Sequence, residues 1–296
     1  MIAGASCALL ALPCAAHSIR GSDSLHPGFD ITLACLLLGT SLLYARGVAR
    51  VWAKAGMGRG IRFGDASRFA LGMLAVAAAL LSPIDALADR SFALHMVEHE
   101  MLMVVAAPLL VLARPLEACA WSLHRTPRQQ LATLVRLPAL AWTWRAMTGP
   151  VAATCLHAIA LWIWHVPLLF AAALASLPLH VLQHFCFFAS ALAFWWAMVG
   201  GAARAPGPVS LACLFATMLQ TSALGVLLTF APSPWYMQNA PVFGLTPLED
   251  QQLGGLVMWV PGGLAYVVVG LVVAASWLAQ PSLSLRHGRF AKVPGR

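Results

Sequence analysis

FALHMVEHEMLMVVAAPLLVLARP, residues 92–115, decides how this chain is read. It is long and apolar enough to span a bilayer, which takes about 20 residues in a helix. Yet its first turns carry His95, Glu98, His99 and Glu100. Ionisable groups at that depth are costly, and they normally face a protein interior or a water-filled cavity. Positions i, i+3 and i+4 share a helix face, so His95, Glu98 and His99 form one polar stripe, continued by Met103 one turn deeper. The same spacing recurs in His180, Gln183 and His184. Paired imidazoles one turn apart can grip a metal, and methionine adds a soft thioether.

The surroundings agree with a membrane setting. Of 296 residues, 60% are hydrophobic and 9% charged, whereas soluble domains carry about 25% charged residues. Seven apolar segments are expected as transmembrane helices: 29–48, 69–87, 92–113, 150–170, 179–200, 209–230 and 253–278. Only helices and closed barrels satisfy their backbone in lipid, and no alternation long enough for a barrel is present. The expected fold is therefore an all-α bundle of seven transmembrane helices. Residues 1–28 read as a leader or a short surface segment, 29–279 as the membrane domain and 280–296 as a basic tail. With the N-terminus outside, 16 of the 18 Lys and Arg residues fall on the cytoplasmic side. That asymmetry orients the bundle, with the C-terminus inside. It also explains the net charge of +8 without a nucleic-acid partner. Residues 116–147 read as a basic cytoplasmic loop lying at the interface. The seven cysteines show no C-x-x-C spacing and no disulfide framework.

In that topology His95, His99, His180 and His184 fall in the outer halves of two helices. His165 lies near the outer end of a third, and Asp250 at the outer start of a fourth. Glu98 reads best as a group that orients an imidazole from behind, with Gln183, Asp250 and Met103 in similar supporting places. His157 alone reads as a hydrogen-bonding residue between helices. The match of His95–His99 to the H-x-x-E-H pattern of zinc peptidases is set aside, because the partner stripe has Gln183 where a carboxylate would be needed. Nitrogen and thioether donors in an apolar site suit Cu(I), zinc accepts His with carboxylate, and haem b could be held by His from two helices. A scaffold whose histidines only join helices is the remaining alternative. No nucleophile–base pair, phosphate loop or nucleotide motif is present, so no enzymatic activity is expected.

HMVEHEMLMVVAAPLLVLARP, HAIALWIWHVPLLFAAAL, LHVLQHFCFFASALAFWW and EDQQLGGLVMWVPGG, in that order, resemble the CtaG family of bacterial cytochrome c oxidase assembly factors. The likeness runs over roughly 29–278. It implies a seven-helix protein of the bacterial plasma membrane that matures haem–copper oxidases through copper delivery, with oxidase subunits and periplasmic copper chaperones as partners. It also implies that the recurrent polar positions fall on His95, Glu98, His99, His157, His165, His180, His184, Asp250 and Gln251.

Overall fold

The computed structural model describes residues 31–200, 205–236 and 243–279. The leader-like segment and the basic tail lie outside the described residues. Within them the chain is helical, and no strand occurs among the described residues. Among the described residues six helices are long and apolar enough to cross a membrane, or seven if one bent pair counts as a span. The long helices are α1 (Ile31–Ala55), α2 (Phe63–Leu80, followed by the short α3, Pro83–Ala88), α4 (Phe92–Leu112), α10 (Leu177–Val199), α11 (Gly207–Thr229) and α12 (Pro247–Leu278).

Three expectations need correction. The fourth expected span, 150–170, is broken into α8 (Pro150–Trp164) and α9 (Pro167–Ala175). Pro167 lacks an N–H, and Val166 before it is held in an extended conformation, at ψ 125°, as residues preceding proline generally are. The 15 residues of α8 cover only about 22 Å. α8 completes a span only together with α7 (Pro138–Met147), which meets it at 68°. The second correction is that residues 116–147 are not a loop. They fold into α5 (Pro115–Ser122), α6 (Arg125–Val135) and α7. α5 lies directly on α1, where a side chain at Gly47 would strike the Ala118 carbonyl. Arg50 on α1 donates to the Ser122 and Leu123 carbonyls at 2.5 and 3.1 Å, a cation at a helix C-terminus. The third correction is that α12 starts at Pro247, three residues before the expected Asp250 and six before the apolar run from Leu253. The Glu249 carboxylate accepts from the Thr246 amide at 2.8 Å, and the Thr246 hydroxyl accepts from the Glu249 amide at 3.3 Å. That reciprocal cap was written in the sequence as Thr246-Pro247-Leu248-Glu249.

α4 packs against α10 on one side and the first half of α12 on the other. α11 and α12 approach backbone to backbone, since a Cβ on Gly225 would come within 2.7 Å of the Gly255 carbonyl. Small residues permit such crossings in membranes, where packing replaces the hydrophobic drive. α4 and α12 each contain a π-helical stretch, Met101–Ala106 and Met258–Gly262. Pro108 follows the first and Pro261 lies in the second, so each helix widens where proline removes a donor. The Trp195 indole donates to the Met103 carbonyl in the wide turn at 2.8 Å. The main apolar core, including Leu102, Ala106, Phe187, Phe194, Trp195 and Met198, is built around the first of these turns.

Candidate metal centre

Both polar stripes start one turn inside a helix N-terminus, which Ser91 caps through its hydroxyl on α4 and Ser176 leaves without a side-chain cap on α10. The first turn of α4 is held by Asp250 of α12. Its carboxylate accepts from the Ser91 hydroxyl at 2.6 Å and from the Phe92 and Ala93 amides at 2.6 and 3.3 Å. A carboxylate at a helix N-terminus answers both the orphan amides and the positive end of the dipole. Gly254, one turn further along α12, leaves room for the Phe92 ring. Asp250 thus fixes the start of α4 a turn ahead of His95, and its oxygens are spent on the helix end. Gln251 beside it binds the Trp235 amide at 2.5 Å and the Leu228 carbonyl at 3.3 Å, tying down the segment after α11.

The two stripes meet. The ring of His95 lies 4.3 Å from His99, 5.3 Å from His180 and 5.9 Å from His184, centre to centre. His99 and His184 are 5.1 Å apart, and His180 and His184 are 4.4 Å apart. Two sets of three donors converge, His95–His99–His184 and His95–Glu98–His180. Within each set the ligand atoms lie within 4.8 Å of one another. The Glu98 carboxylate is also 3.6 Å from Nε2 of His184, so it touches both sets. His95, Glu98 and His99 are fully enclosed, Gln183 equally so, and His180 and His184 are half-buried. Among the described residues nothing makes a well-formed hydrogen bond to either nitrogen of His95 or His99, or to either oxygen of Glu98. Gln183 and the Ala88 backbone come nearest to His95, and Asp85 to Glu98. A buried polar atom left without a partner costs roughly 1–3 kcal/mol, so several in one place are consistent with a site built for a ligand.

His165 joins from the end of α8. Its Nδ1 is 2.7 Å from the Leu161 carbonyl. A carbonyl only accepts, so that nitrogen carries the proton and Nε2 presents a lone pair. The lone pair faces the Met96 sulfur at 3.4 Å, a meeting of two acceptors in a buried place. The His165 ring is 6.4 Å from that of His99. The His165 carbonyl accepts from the Tyr236 hydroxyl at 2.6 Å, and burial pushes that phenol's pKa above its ordinary value.

Two sequence-derived candidates lie away from the imidazoles. His157 is about 12 Å further along α8 from His165, by helical rise. It sits between Ser190 at 3.0 Å and the Tyr266 hydroxyl at 3.4 Å. Met103 is packed in the apolar core. Sequence reasoning missed Met96, which lies off the stripe, and Asp85, which is on α3. An acidic residue in the connection leading to the histidine helix was the available signal. Glu100 takes a different direction from Glu98. Its carboxylate fills the space left by Gly262, where a Cβ would stand 2.7 Å from Oε2.

A polytopic helical membrane protein with a buried, half-satisfied cluster of histidines and one carboxylate is the class that fold and site define. Residues 42–280 match the family model of the cytochrome c oxidase caa3 assembly factor, Caa3_CtaG, and the chain belongs to that family. No curated protein and no solved structure matches it. The family places the chain in the assembly of cytochrome c oxidase, in association with that oxidase and a bacterial membrane.

Proposed function

We propose that this assembly factor binds copper as Cu(I) at the cluster of His95, His99, His180 and His184, with His165 as a further ligand, and passes it to a nascent oxidase subunit. The observation that carries the reading is the pair of enclosed imidazoles, His95 and His99, whose nitrogens have no hydrogen-bond partner among the described residues. The Met96 sulfur turned toward the His165 lone pair favours a soft ion over zinc. Haem is disfavoured, because rings packed at 4.3–5.9 Å leave no slot for a macrocycle between them. The charge asymmetry puts the cluster in the outer half of the bacterial inner membrane, facing periplasmic copper chaperones. The role is that of a carrier and not of an enzyme.

The test is elemental analysis of detergent-purified protein after anaerobic Cu(I) loading, with the visible spectrum recorded alongside. Bound copper that is absent from a His95→Gln, His99→Gln double variant supports the reading. Equal copper in both, with normal oxidase maturation in cells carrying the variant, leaves the histidines as helix joints. A Soret band in the wild type turns the assignment to haem. Reporter fusions test the orientation: one after Ala279 should report cytoplasm, and one between Pro234 and Leu248 the periplasm. A periplasmic signal from the C-terminal fusion removes the outward-facing site.

A further inference from the structure

The two donor sets are not equivalent, and they share one residue. His95–Glu98–His180 is drawn from the first two turns of α4 and the first turn of α10. His95–His99–His184 reaches one helical turn further in, about 5 Å. The shallower set holds a carboxylate, and Asp85 and Asp89 of the α3 connection act on it electrostatically. Asp89 is exposed and Asp85 half-buried, so the acidic groups that act on Glu98 are nearer the surface than Glu98 itself. The deeper set is imidazole only, with His99 fully enclosed and the His184 side chain 12% exposed.

Building on the copper reading, we propose that the cluster is a two-position relay for a single ion. The ion is captured at His95–Glu98–His180 and held at His95–His99–His184, with His95 bound throughout. The sharing of His95 sets the stoichiometry. A neutral imidazole has one nitrogen with a lone pair and one with a proton, so His95 can serve one Cu(I) at a time and the two positions exclude each other. The same sharing gives a path without a free ion. His95 stays attached while His180 is exchanged for His99 or His184. Glu98, 3.6 Å from His184 Nε2, remains beside the ion in either position. Its carboxyl, giving up any proton it holds as the ion enters, would offset the cost of a cation in a desolvated site. The acidic approach favours capture, as clefts lined by one sign of charge raise the local concentration of the opposite ion. The imidazole set favours retention of a soft ion.

The test uses the full-length protein in detergent, with anaerobic Cu(I) as the probe. Three quantities are read: copper per chain at saturation, the rate of loading, and the rate of loss to a chromogenic Cu(I) chelator. The wild type should take one copper per chain. Glu98→Gln and His180→Gln should load about tenfold or more slowly, yet lose copper at close to the wild-type rate. His184→Gln and His99→Gln should do the reverse, with loss faster by about tenfold or more, the range seen when groups supporting a metal are removed. His99→Met keeps a Cu(I) donor and should restore retention, which separates ligation from a folding defect. Two coppers per wild-type chain overturn the relay, as does loading and loss changing together in all four variants. A wild type that takes up no Cu(I) overturns the copper reading itself, and the relay with it.

Discussion

Two buried histidine regions of this protein contrast under nearly equal burial. His157 and His95 are both completely enclosed. His157 has a partner at each ring nitrogen, the Ser190 hydroxyl and the Tyr266 hydroxyl, and its ring stacks on Phe194 at 5.7 Å. It is finished as a joint between α8, α10 and α12. His95 packs against two more imidazoles of the neighbouring stripe, and nothing among the described residues completes a hydrogen bond to it. Burial therefore does not separate a histidine that joins helices from one left open to a ligand. The separating quantity is whether the protein itself satisfies the two nitrogens, because a group the fold leaves unpaired must be compensated by something else.

The largest expected effect breaks or upholds that contrast directly. Replacing His95 and His99 by Gln should lower copper content at least about tenfold, equivalent to 1.4 kcal/mol or more of binding. His157→Gln should leave it unchanged. Loss of copper in both, measured by elemental analysis of monodisperse protein, would erase the distinction. Stability should respond the other way round. His157→Ala opens a cavity and strips the Tyr266 hydroxyl of its partner, so thermal unfolding in detergent should show a loss of about 2–4 kcal/mol. The double-Gln variant should unfold near the wild-type temperature. Gly225→Ala acts on the frame that both regions share. Its methyl would meet the Gly255 carbonyl and the Trp259 backbone, and separating α11 from α12 should cost about 1–3 kcal/mol. Copper retention should fall less than in the His variants. Asp250→Asn is the smallest change. It keeps one acceptor oxygen for the α4 end, sets an N–H donor where the other oxygen stood and removes the charge, with a cost of about 1 kcal/mol. A drop in unfolding temperature without loss of copper at saturation marks it as a positioning residue. Copper loss equal to that of the His variants would make it part of the site.

Much of this was legible in the chain. The spans ending in α4, α10 and α11 lie within two residues of where apolar length puts them, since a bilayer demands a long run of apolar residues whatever their identity. The two i, i+4 histidine pairs were legible for the same local reason, helical period. The break at Val166–Pro167 was also written in the sequence. It was passed over because hydropathy runs through it without interruption, whereas the loss of a backbone donor at proline is a stereochemical signal that hydropathy ignores. The helices in 115–147 were hidden because they are short, and α6 and α7 are mostly exposed, with no buried residue on α6. Their apolar faces did not add up to a span.

The sequence by itself determined an all-helical membrane chain, the faces on which its histidines stand, and the asymmetry of its charges. These follow from composition and from the fixed geometry of a helix, which need no neighbour. Tertiary structure decided which stripes meet, that Asp250 holds the end of α4, that Met96 turns to His165, and that Asp85 approaches Glu98. It also decided which buried histidine is satisfied and which is not. Hydrogen-bond partners lie on different helices, up to 159 residues apart in the case of Ser91 and Asp250. Which of them come together depends on how helices cross at positions such as Gly225 and Gly255, where backbone approach is a property of two elements at once.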